Sequence, residues 1–492
     1  MQLLDRPRTL PDEPLTRDRP GVRRLALGCG LLTTAIGFVG LGRPSLWYDE
    51  AASLSGADRP LDALPALLRH VDLVHGLYYV LLHSWVQVFG TSAVALRSLS
   101  AIALGVACAG CVVVAHRLGD RSVALVAGIA FALLPGLAWS ATEAREWSLA
   151  TAAVTWATAA LLRALETDQR RSWVGYALLA VVAIALSIMT VLMAVPHLWL
   201  AWRAGRLRPA AITGTGVLVL TLPLISAAST QREQIAWIAL TPRQVVSRAL
   251  LNQLFVADQS LPSDRARAAG LVLAVLFLLV GLTALAGRSR GAWLGVLWLG
   301  VPTVLLAAPV VAGVHIYQDR YLTFAAPGAV LLFAQGLVDV GRWAAGRVGF
   351  RALLALGLLT AYAASATVLV SQRAPAAKSG DDYRTLASAA RGTDQVLYER
   401  PDARGIRLAY PGDFVGVADV LLTGDPTTSR TLWGAERGAD SLQPHGEVVA
   451  YVFAQQPRDG RVWLVSYLQD QGCVLQDNYA ATRWVALRYS CP

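Results

Sequence analysis

The sequence carries little charge. Only 15% of its 492 residues are Asp, Glu, Lys or Arg, and 55% are hydrophobic. Soluble domains usually carry about a quarter charged residues. This balance excludes an ordinary soluble domain and indicates a membrane protein.

Lysine is almost absent. Lys378 is the one lysine in the chain, so the net charge of +10 rests on arginine. Much of that arginine lies between apolar runs, which is a pattern of membrane topology and not of a nucleic-acid surface. We therefore expect no nucleic-acid partner. So little Lys beside abundant Ala, Arg and Gly is typical of a high-GC bacterial genome.

Cysteine is also sparse, with five residues. Cys29, Cys108 and Cys111 lie in apolar runs, where the Cys-x-x-Cys spacing indicates small-residue packing more than a metal or redox pair. Cys473 and Cys491 are the two outside such runs. An oxidising compartment would let them form a disulfide.

Apolar runs dominate the chain after a polar start. Residues 1–23 are rich in Pro, Asp and Arg, and we predict a disordered cytoplasmic leader there. A span needs roughly 20 apolar residues. This criterion predicts eleven spans: 24–42, 93–115, 122–141, 147–164, 173–189, 190–202, 210–229, 269–286, 291–313, 321–340 and 352–371. The run 173–202 is long for one span and short for two, with Met189, Thr190 and Pro196 as candidate break points.

Arginine distribution predicts the orientation. With the N-terminus inside, every predicted inner segment holds at least two arginines, whereas the short outer turns 140–146 and 314–320 hold one each. The inner segments are 1–23, 116–121, 163–172, 203–209, 287–290 and 341–351. The positive-inside rule then places the N-terminus in the cytoplasm and the C-terminal tail outside. Residues 43–92 and 230–268 also face out.

The tail, residues 376–492, is polar and patterned differently. Alternating apolar segments at 395–398, 447–453, 461–467 and 483–490 follow a helical pattern over 383–390. This arrangement predicts a small extracytoplasmic α/β domain after a membrane domain spanning 24–371. The fold class expected is an α-helical polytopic membrane protein with that appended domain.

Two adjacent carboxylates, Asp49 and Glu50, follow the first predicted span at the outer membrane surface, directly after Trp47 and Tyr48. One interpretation is that they cap the next helix, because acidic residues are favoured at helix N-termini. The other is that one carboxylate is a general base that takes a proton from a hydroxyl, while the aromatic rings shape a pocket.

Two further polar clusters lie at predicted outer ends. The first is Glu143 and Arg145, in the turn before the fourth span. The second comprises His315, Asp319, Arg320 and Tyr321. These groups could be local ion pairs and interfacial anchors. Alternatively, the two arginines could bind a phosphate, for which a guanidinium offers paired donors.

A metal site is a weaker possibility. His70, Asp72 and His75, together with Asp49, have the ligand types of a zinc or manganese site, but their spacing matches no strong motif. We predict no cofactor and expect His75 to contact the substrate or the carboxylates.

The order of these features resembles a known family. A span, the Trp47-Tyr-Asp-Glu-Ala stretch, the amphipathic His75-Gly-Leu-Tyr78-Tyr segment, a second span and the Glu143-Ala-Arg145 turn are similar to GT-C membrane glycosyltransferases. The resemblance is closest to the family-39-like group, which includes protein O-mannosyltransferases and the lipid A aminoarabinose transferase. It covers roughly residues 24–371. The chain departs from the family in having Glu146-Trp where Pro-Tyr is usual, and in lacking a membrane lysine.

The resemblance implies transfer of a monosaccharide, taken here as mannose or arabinofuranose, from a polyprenyl-phosphate sugar with inversion. The acceptor would be a glycan, lipid or protein outside a bacterial plasma membrane. Asp49 would be the general base with Glu50 beside it, and Arg145 and Arg320 would bind the donor phosphate. The implied substrate pocket comprises Trp47, Tyr48, His75, Tyr78, Glu143, His315, Asp319 and Tyr321. The alternatives are a transporter, whose polar groups would lie nearer the bilayer midplane, a polymer ligase, and a non-catalytic scaffold.

Overall fold

The computed structural model describes residues 20–257, 263–438, 442–454 and 463–492. Its first part is helical. The helices are α1 (Pro20–Phe38), α2 (Tyr48–Ala57), α3 (Leu64–Leu68), α4 (Gly76–Phe89), α5 (Ala93–Leu118), α6 (Arg121–Leu133), α7 (Pro135–Ser140), α8 (Trp147–Thr167), α9 (Arg170–Leu186), α10 (Ala194–Arg203), α11 (Leu207–Ser229), α12 (Pro242–Ser247), α13 (Asp264–Ala286), α14 (Arg290–Ala307), α15 (Ala326–Trp343) and α16 (Val348–Ser371). Short 3-10 segments at Leu73–His75, Ile188–Met193 and Asp319–Ala325 and a π-helix at Arg248–Val256 join them.

Seven helices in the described residues are long and apolar enough to cross a membrane, so the chain is a multi-pass membrane protein. They are Ala93–Leu118, Trp147–Thr167, Leu207–Ser229, Asp264–Ala286, Arg290–Ala312, Asp319–Trp343 and Val348–Ser371. Each coincides with a predicted span.

The other four of the eleven predicted spans fall on helices that are shorter or less apolar than this criterion requires, so whether they cross the membrane stays a prediction. Helix α1 has 19 residues and carries the charged Arg23 and Arg24 near its start. The predicted span 122–141 breaks at Leu134, whose extended backbone precedes Pro135, because a residue before proline disfavours the helical region. The run 173–202 breaks at Ser187, two residues before the predicted position, and leaves two short helices.

The predicted leader also differs in part. Residues 1–19 lie outside the described residues, and the last four residues of the leader already belong to α1.

Helices α1 and α5 pack closely through small residues. A Cβ built on Gly105 would lie 2.6 Å from the Gly30 carbonyl oxygen and 2.0 Å from the Thr34 Oγ1, so only glycine fits at this crossing. Cys108 and Cys111 on α5 are fully buried in the same core. This packing holds α5, whose first turns carry Arg97, against α1.

The C-terminal part is an α/β unit. Its elements are α17 (Tyr383–Ser388), β1 (Gln395–Tyr398), α18 (Gly405–Ala409), β2 (Ala418–Asp419), β3 (Leu422–Gly424), β4 (Ala435–Glu436), β5 (Gly446–Phe453), α19 (Trp463–Asp470), β6 (Val474–Ala480) and β7 (Trp484–Cys491). The main sheet has the order β2-β1-β5-β7-β6, with β1 parallel to its neighbours β2 and β5 and the remaining pairs antiparallel. A disulfide joins Cys473 and Cys491, beside the paired strands β6 and β7.

One apolar segment of this part is a helix, although its alternating pattern indicates a strand. The segment 461–467, expected as a strand, is helical from Trp463 onward, and its first two residues lie outside the described residues. Leu464 and Leu468, four residues apart, are both fully buried, which is a helical spacing.

The C-terminal part lies against one end of the helices, which we call the site end: the last turns of α1 and α16 and the first turns of α5 and α8. Ser45, just after α1, receives a hydrogen bond at its Oγ from the Arg384 backbone N–H (3.0 Å) and donates its own N–H to the Pro375 carbonyl (2.8 Å). The Tyr410 hydroxyl accepts from the Leu46 N–H at 2.9 Å. These bonds hold the segment before α2 between the two parts.

Candidate active site

Asp49 lies between two arginines at the site end. It belongs to the first turn of α2 and is 7% exposed. Its Oδ1 is 3.4 Å from Arg145 Nη2, and its Oδ2 is 3.0 Å from Arg320 Nη1. Three segments separated by about a hundred residues or more in sequence therefore converge on one carboxylate.

The electrostatics of this cluster keep Asp49 ionised. Burial would raise the pKa of its carboxyl, but the charges of Arg320 and Arg145 outweigh burial and lower the pKa below its usual range. An ionised carboxylate with two cationic partners is a stable resting arrangement. It is also a weak base for as long as both partners remain.

Both guanidinium groups keep hydrogen-bonding capacity. Among the described residues, the buried Nε and Nη1 of Arg145 and the buried Nε of Arg320 have no hydrogen-bond partner. Arg320 lies over the rings of Trp47 and Trp237, 5.2 Å and 5.9 Å from their centroids. The indoles orient the guanidinium without using its N–H donors. Unused buried donors on two adjacent cations can bind an oxyanion.

Glu50, the neighbour of Asp49, takes part in a buried ion pair. Its side chain is fully buried and accepts from Arg97 Nε (2.7 Å), Arg97 Nη2 (2.6 Å) and the Ala144 backbone N–H (2.9 Å). Arg97 also donates to the Leu41, Pro44 and Ser45 carbonyls, each at 2.9 Å. Because its oxygens are occupied and shielded, Glu50 is a positioning residue that joins the Asp49 segment to the Arg145 turn.

His75 contacts a neighbouring carboxylate. Its Nδ1 is 3.1 Å from Glu146 Oε1. Burial would raise the pKa of Glu146, but His75 outweighs that effect and lowers it. Tyr78 is fully buried, with its ring 6.3 Å from that of Tyr79, which donates a 2.6 Å hydrogen bond to Asp72. No group of three potential metal ligands occurs in the part of the chain that the structure describes.

Glu143 pairs with the one lysine of the chain. Lys378 Nζ lies 3.6 Å from Glu143 Oε1, 3.0 Å from Thr142 Oγ1 and 3.6 Å from the centroid of the Trp139 ring. Burial lowers the pKa of Lys378 to about 8. This contact fastens the segment after α16 to the turn that carries Arg145.

Of the second predicted polar cluster, Asp319, Arg320 and Tyr321 lie in the buried region around the site, and His315 does not. Tyr321 has its ring 5.3 Å from that of Trp147. Asp319 Oδ1 lies 3.6 Å from Arg248 Nη1. His315 is exposed on the irregular segment 314–318 and lies outside the buried cluster, so the structure does not bring it together with the other residues, and its place in the substrate pocket stays a prediction.

Sequence reasoning missed four residues of this region: Arg97, Trp237, Arg248 and Lys378. Arg97 had a usable signal, because an ionisable residue inside a predicted span calls for a buried partner. The others lie in segments without local motifs, and only their tertiary contacts reveal them.

The fold is similar to that of the solved structure of ArnT, so the fold expected from the resemblance is confirmed. ArnT from Cupriavidus metallidurans in the apo state superposes with a TM-score of 0.57 and 12% identity, over 95% of this chain and 98% of that one. The same protein bound to undecaprenyl phosphate gives a TM-score of 0.56 and 13% identity with the same coverage. An Archaeoglobus fulgidus oligosaccharyltransferase overlaps less well, with a TM-score of 0.46 and 12% identity over 87% of this chain and 62% of that one. No protein-family model matches the sequence, and neither does any curated protein.

Proposed function

We propose that this protein is a membrane glycosyltransferase that moves a monosaccharide from a polyprenyl-phosphate sugar to a hydroxyl of an acceptor outside the membrane. The observation that carries the proposal is the position of Asp49 between Arg145 and Arg320, whose remaining buried N–H donors are unused. The similarity in fold to ArnT, which has been solved with undecaprenyl phosphate, supports the choice of donor.

The donor phosphate would bind where Asp49 now finds its partners. A phosphate accepting from Arg145 and Arg320 competes with the carboxylate for the same two cations. Once their charge is shared with the phosphate, the pKa of Asp49 rises toward its ordinary value, because the neighbouring negative charge disfavours the ionised form. Donor binding therefore makes Asp49 a better base.

The reaction follows from this arrangement. The acceptor hydroxyl gives its proton to Asp49 while its oxygen forms a bond to the anomeric carbon. The bond from that carbon to the phosphate oxygen breaks, and polyprenyl phosphate leaves with the electron pair. The guanidinium groups stabilise the charge that grows on the leaving phosphate. Attack from the face opposite the phosphate inverts the anomeric centre.

An apolar groove supports a lipid-linked donor. It is a cavity of about 420 Å³ whose lining includes Leu64, Leu68, Gly76, Leu77 and Leu224. Its lining residue Gly76 follows His75 in sequence, and His75 contacts Glu146 in the turn that carries Arg145. A hydrocarbon chain in this groove would bring its phosphate toward the arginines, and the absence of charged groups from its lining favours the polyprenyl chain as the occupant.

The finer parts of the proposal rest on the sequence. We place the protein in a bacterial plasma membrane with the N-terminus in the cytoplasm and the C-terminal part outside. The transferred sugar is taken as mannose or arabinofuranose, the acceptor as a glycan, lipid or protein, and no cofactor is invoked.

The test uses purified protein in nanodiscs with radiolabelled polyprenyl-phosphate mannose and polyprenyl-phosphate arabinose, followed by identification of the labelled product in added cell-envelope extract. Arg145→Ala and Arg320→Ala should each lower the rate by about 10²–10³-fold, the usual cost of losing one electrostatic donor. Arg206→Ala is the matched control, because Arg206 forms a half-exposed ion pair with Asp168 at the opposite end of the helices. Full turnover in a folded Arg145 or Arg320 variant would make that arginine an interfacial anchor. Lipid movement without labelled product would favour a transporter.

A further inference from the structure

The residue before Asp49 belongs to a second cluster, built mainly by the C-terminal part. The Tyr48 ring lies 5.5 Å from the Trp433 ring, and the Arg483 guanidinium lies over it at 5.0 Å. Tyr48, Trp433 and Arg483 are all half-buried, so each keeps part of its surface accessible. The ion pairs of Asp49 are with Arg145 and Arg320 and not with these three side chains, although the charge of Arg483 also helps to lower the pKa of Asp49.

Two buried polar groups complete this cluster. Asp402 is 8% exposed, and Tyr383 is fully buried. The Tyr383 hydroxyl has no hydrogen-bond partner among the described residues. Asp402 Oδ1 pairs with Arg400 Nε at 3.2 Å. Besides burial, the charge of Asp402 raises the pKa of both Tyr48 and Tyr383, and the charge of Arg483 lowers the pKa of both. Burial and the charge of Asp402 raise the pKa of Tyr48 to about 12, so its phenol stays protonated and can donate. We call Tyr48, Tyr383, Asp402, Trp433 and Arg483 the Tyr48 cluster.

The Tyr48 cluster is held rigidly against α2. Ser55 on α2 donates to the Leu432 carbonyl at 2.6 Å, and Arg59 donates to the Thr431 carbonyl at 3.1 Å. A Cβ built on Gly405 would lie 3.2 Å from both Ala51 and the Trp433 ring. Such close packing on both sides fixes Trp433 beside Tyr48, as a preformed site requires.

The chemistry of the cluster suits a saccharide. Aromatic faces take the apolar face of a sugar ring, a carboxylate accepts hydrogen bonds from hydroxyls, and a guanidinium donates to ring and hydroxyl oxygens. An unpartnered buried phenol is costly to leave unsatisfied and supplies one more group for a ligand.

The position of the Tyr48 cluster relative to Asp49 indicates whether it would bind the donor or the acceptor. Successive side chains on a helix point about 100° apart, so Tyr48 and Asp49 face different directions. Asp49 faces the arginines proposed to hold the donor phosphate, whereas Tyr48 faces the C-terminal part. A general base must lie between the acceptor hydroxyl and the donor. The acceptor therefore belongs on the Tyr48 side.

We propose that the Tyr48 cluster is the acceptor subsite and binds a saccharide, and that the C-terminal part supplies its specificity through Asp402, Trp433 and Arg483. This inference rests on the proposed function for the identity of the ligand as acceptor. The binding of a saccharide by the cluster can be tested without turnover.

The probe is an array of immobilised bacterial oligosaccharides that includes mannosides and arabinofuranosides. Full-length protein is applied in nanodiscs, because sugar-based detergents would compete. Wild type should bind at least one oligosaccharide. Trp433→Ala and Arg483→Gln should each weaken that binding by about 10-fold or more, as expected for loss of an aromatic face or a charge-assisted hydrogen bond. Trp433→Phe, which keeps an aromatic face, should retain binding within about threefold.

Matched controls come from the same part of the chain. Trp463→Ala removes an exposed tryptophan on α19, and Arg391→Gln removes an exposed arginine that pairs with Asp413. Both should bind the array as wild type does. The affinity of every variant for undecaprenyl phosphate should stay within about twofold, which also excludes misfolding.

Failure to bind any oligosaccharide, or equal binding by wild type and the Trp433→Ala and Arg483→Gln variants, would overturn the inference. If wild type does not bind undecaprenyl phosphate, that result would instead count against the proposed function. The two failures are therefore distinguishable in one set of preparations.

Discussion

Asp49→Asn separates the proposed base from the residues around it. The amide has nearly the shape of the carboxylate but cannot take a proton at neutral pH. General base catalysis is worth roughly 10²–10⁴-fold, so turnover should fall to about a percent or less of the wild-type rate. If the acidic residue only capped α2, the change would cost about 1 kcal/mol of stability and leave turnover per folded molecule intact.

For donor binding, the geometry predicts the opposite effect: Asp49→Asn should bind the donor phosphate more tightly, although its turnover falls. Asp49 is 3.0 Å from Arg320 and 3.4 Å from Arg145, so it competes directly with a phosphate for them. A phosphate held by the same arginines, with room for the reacting sugar carbon and hydroxyl in between, would lie roughly 7 Å from the carboxylate, where two unit charges repel by about 2 kcal/mol at an effective dielectric of about 20. Removing the carboxylate charge should therefore tighten binding of undecaprenyl phosphate, by about 10- to 100-fold.

The assay measures turnover and undecaprenyl phosphate affinity on one purified preparation, with thermal unfolding as a control. The free variant should unfold at a lower temperature than wild type, because two buried arginines lose their counter-charge. Undecaprenyl phosphate should restore more stability to the variant than to wild type. Near-normal turnover would remove Asp49 from the mechanism. Weaker phosphate binding in a folded variant would refute the competition between carboxylate and phosphate.

Acid stability gives an independent readout of the same residue. The pKa of Asp49 is lowered in the folded protein because the two arginines outweigh burial. A carboxylate with a depressed folded pKa contributes stability that is present above its unfolded pKa and is lost as the pH falls through the folded value. Wild type should lose this contribution below about pH 4. Asp49→Asn should lose less over the same interval, as followed by thermal unfolding at stepped pH.

Three further predictions concern the framework around the site. Arg97→Ala should lower the free energy of unfolding by about 3–5 kcal/mol, because it leaves the buried carboxylate of Glu50 without its counter-charge. Glu50→Gln should reduce stability more than it reduces turnover per folded molecule. Denaturation monitored by tryptophan fluorescence tests the stability of both variants, and an unchanged midpoint for Arg97→Ala would contradict the positioning role. Cys473 and Cys491 should resist alkylation until reduced, and reduction should cost about 3 kcal/mol for their separation of 18 residues; two thiols reactive in the native protein would count against it. Reporter fusions should place the N-terminus in the cytoplasm and the C-terminus outside, and finding both ends on one side would overturn the proposed orientation.

The spans show where local pattern was sufficient and where it was not. Seven apolar runs became full-length helices, since the hydropathy of a single segment decides whether it can cross a bilayer. The run 173–202 was divided in sequence at Met189 and Thr190, but its composition alone suits one helix or two and does not fix the position of the break. The structure places the break at Ser187, whose backbone is extended.

The candidate site also has residues that the sequence singles out and contacts that only the structure reveals. The amino-acid sequence by itself identified Asp49, Arg145 and Arg320, because charged residues at the ends of apolar runs are costly and call for a function. It assigned the general base to Asp49 through the family resemblance, but it gave no partner for the adjacent Glu50. Tertiary structure supplied that partner by burying Glu50 against Arg97, 47 residues away in sequence. Pairing across such separations depends on how helices cross, and no local periodicity encodes it.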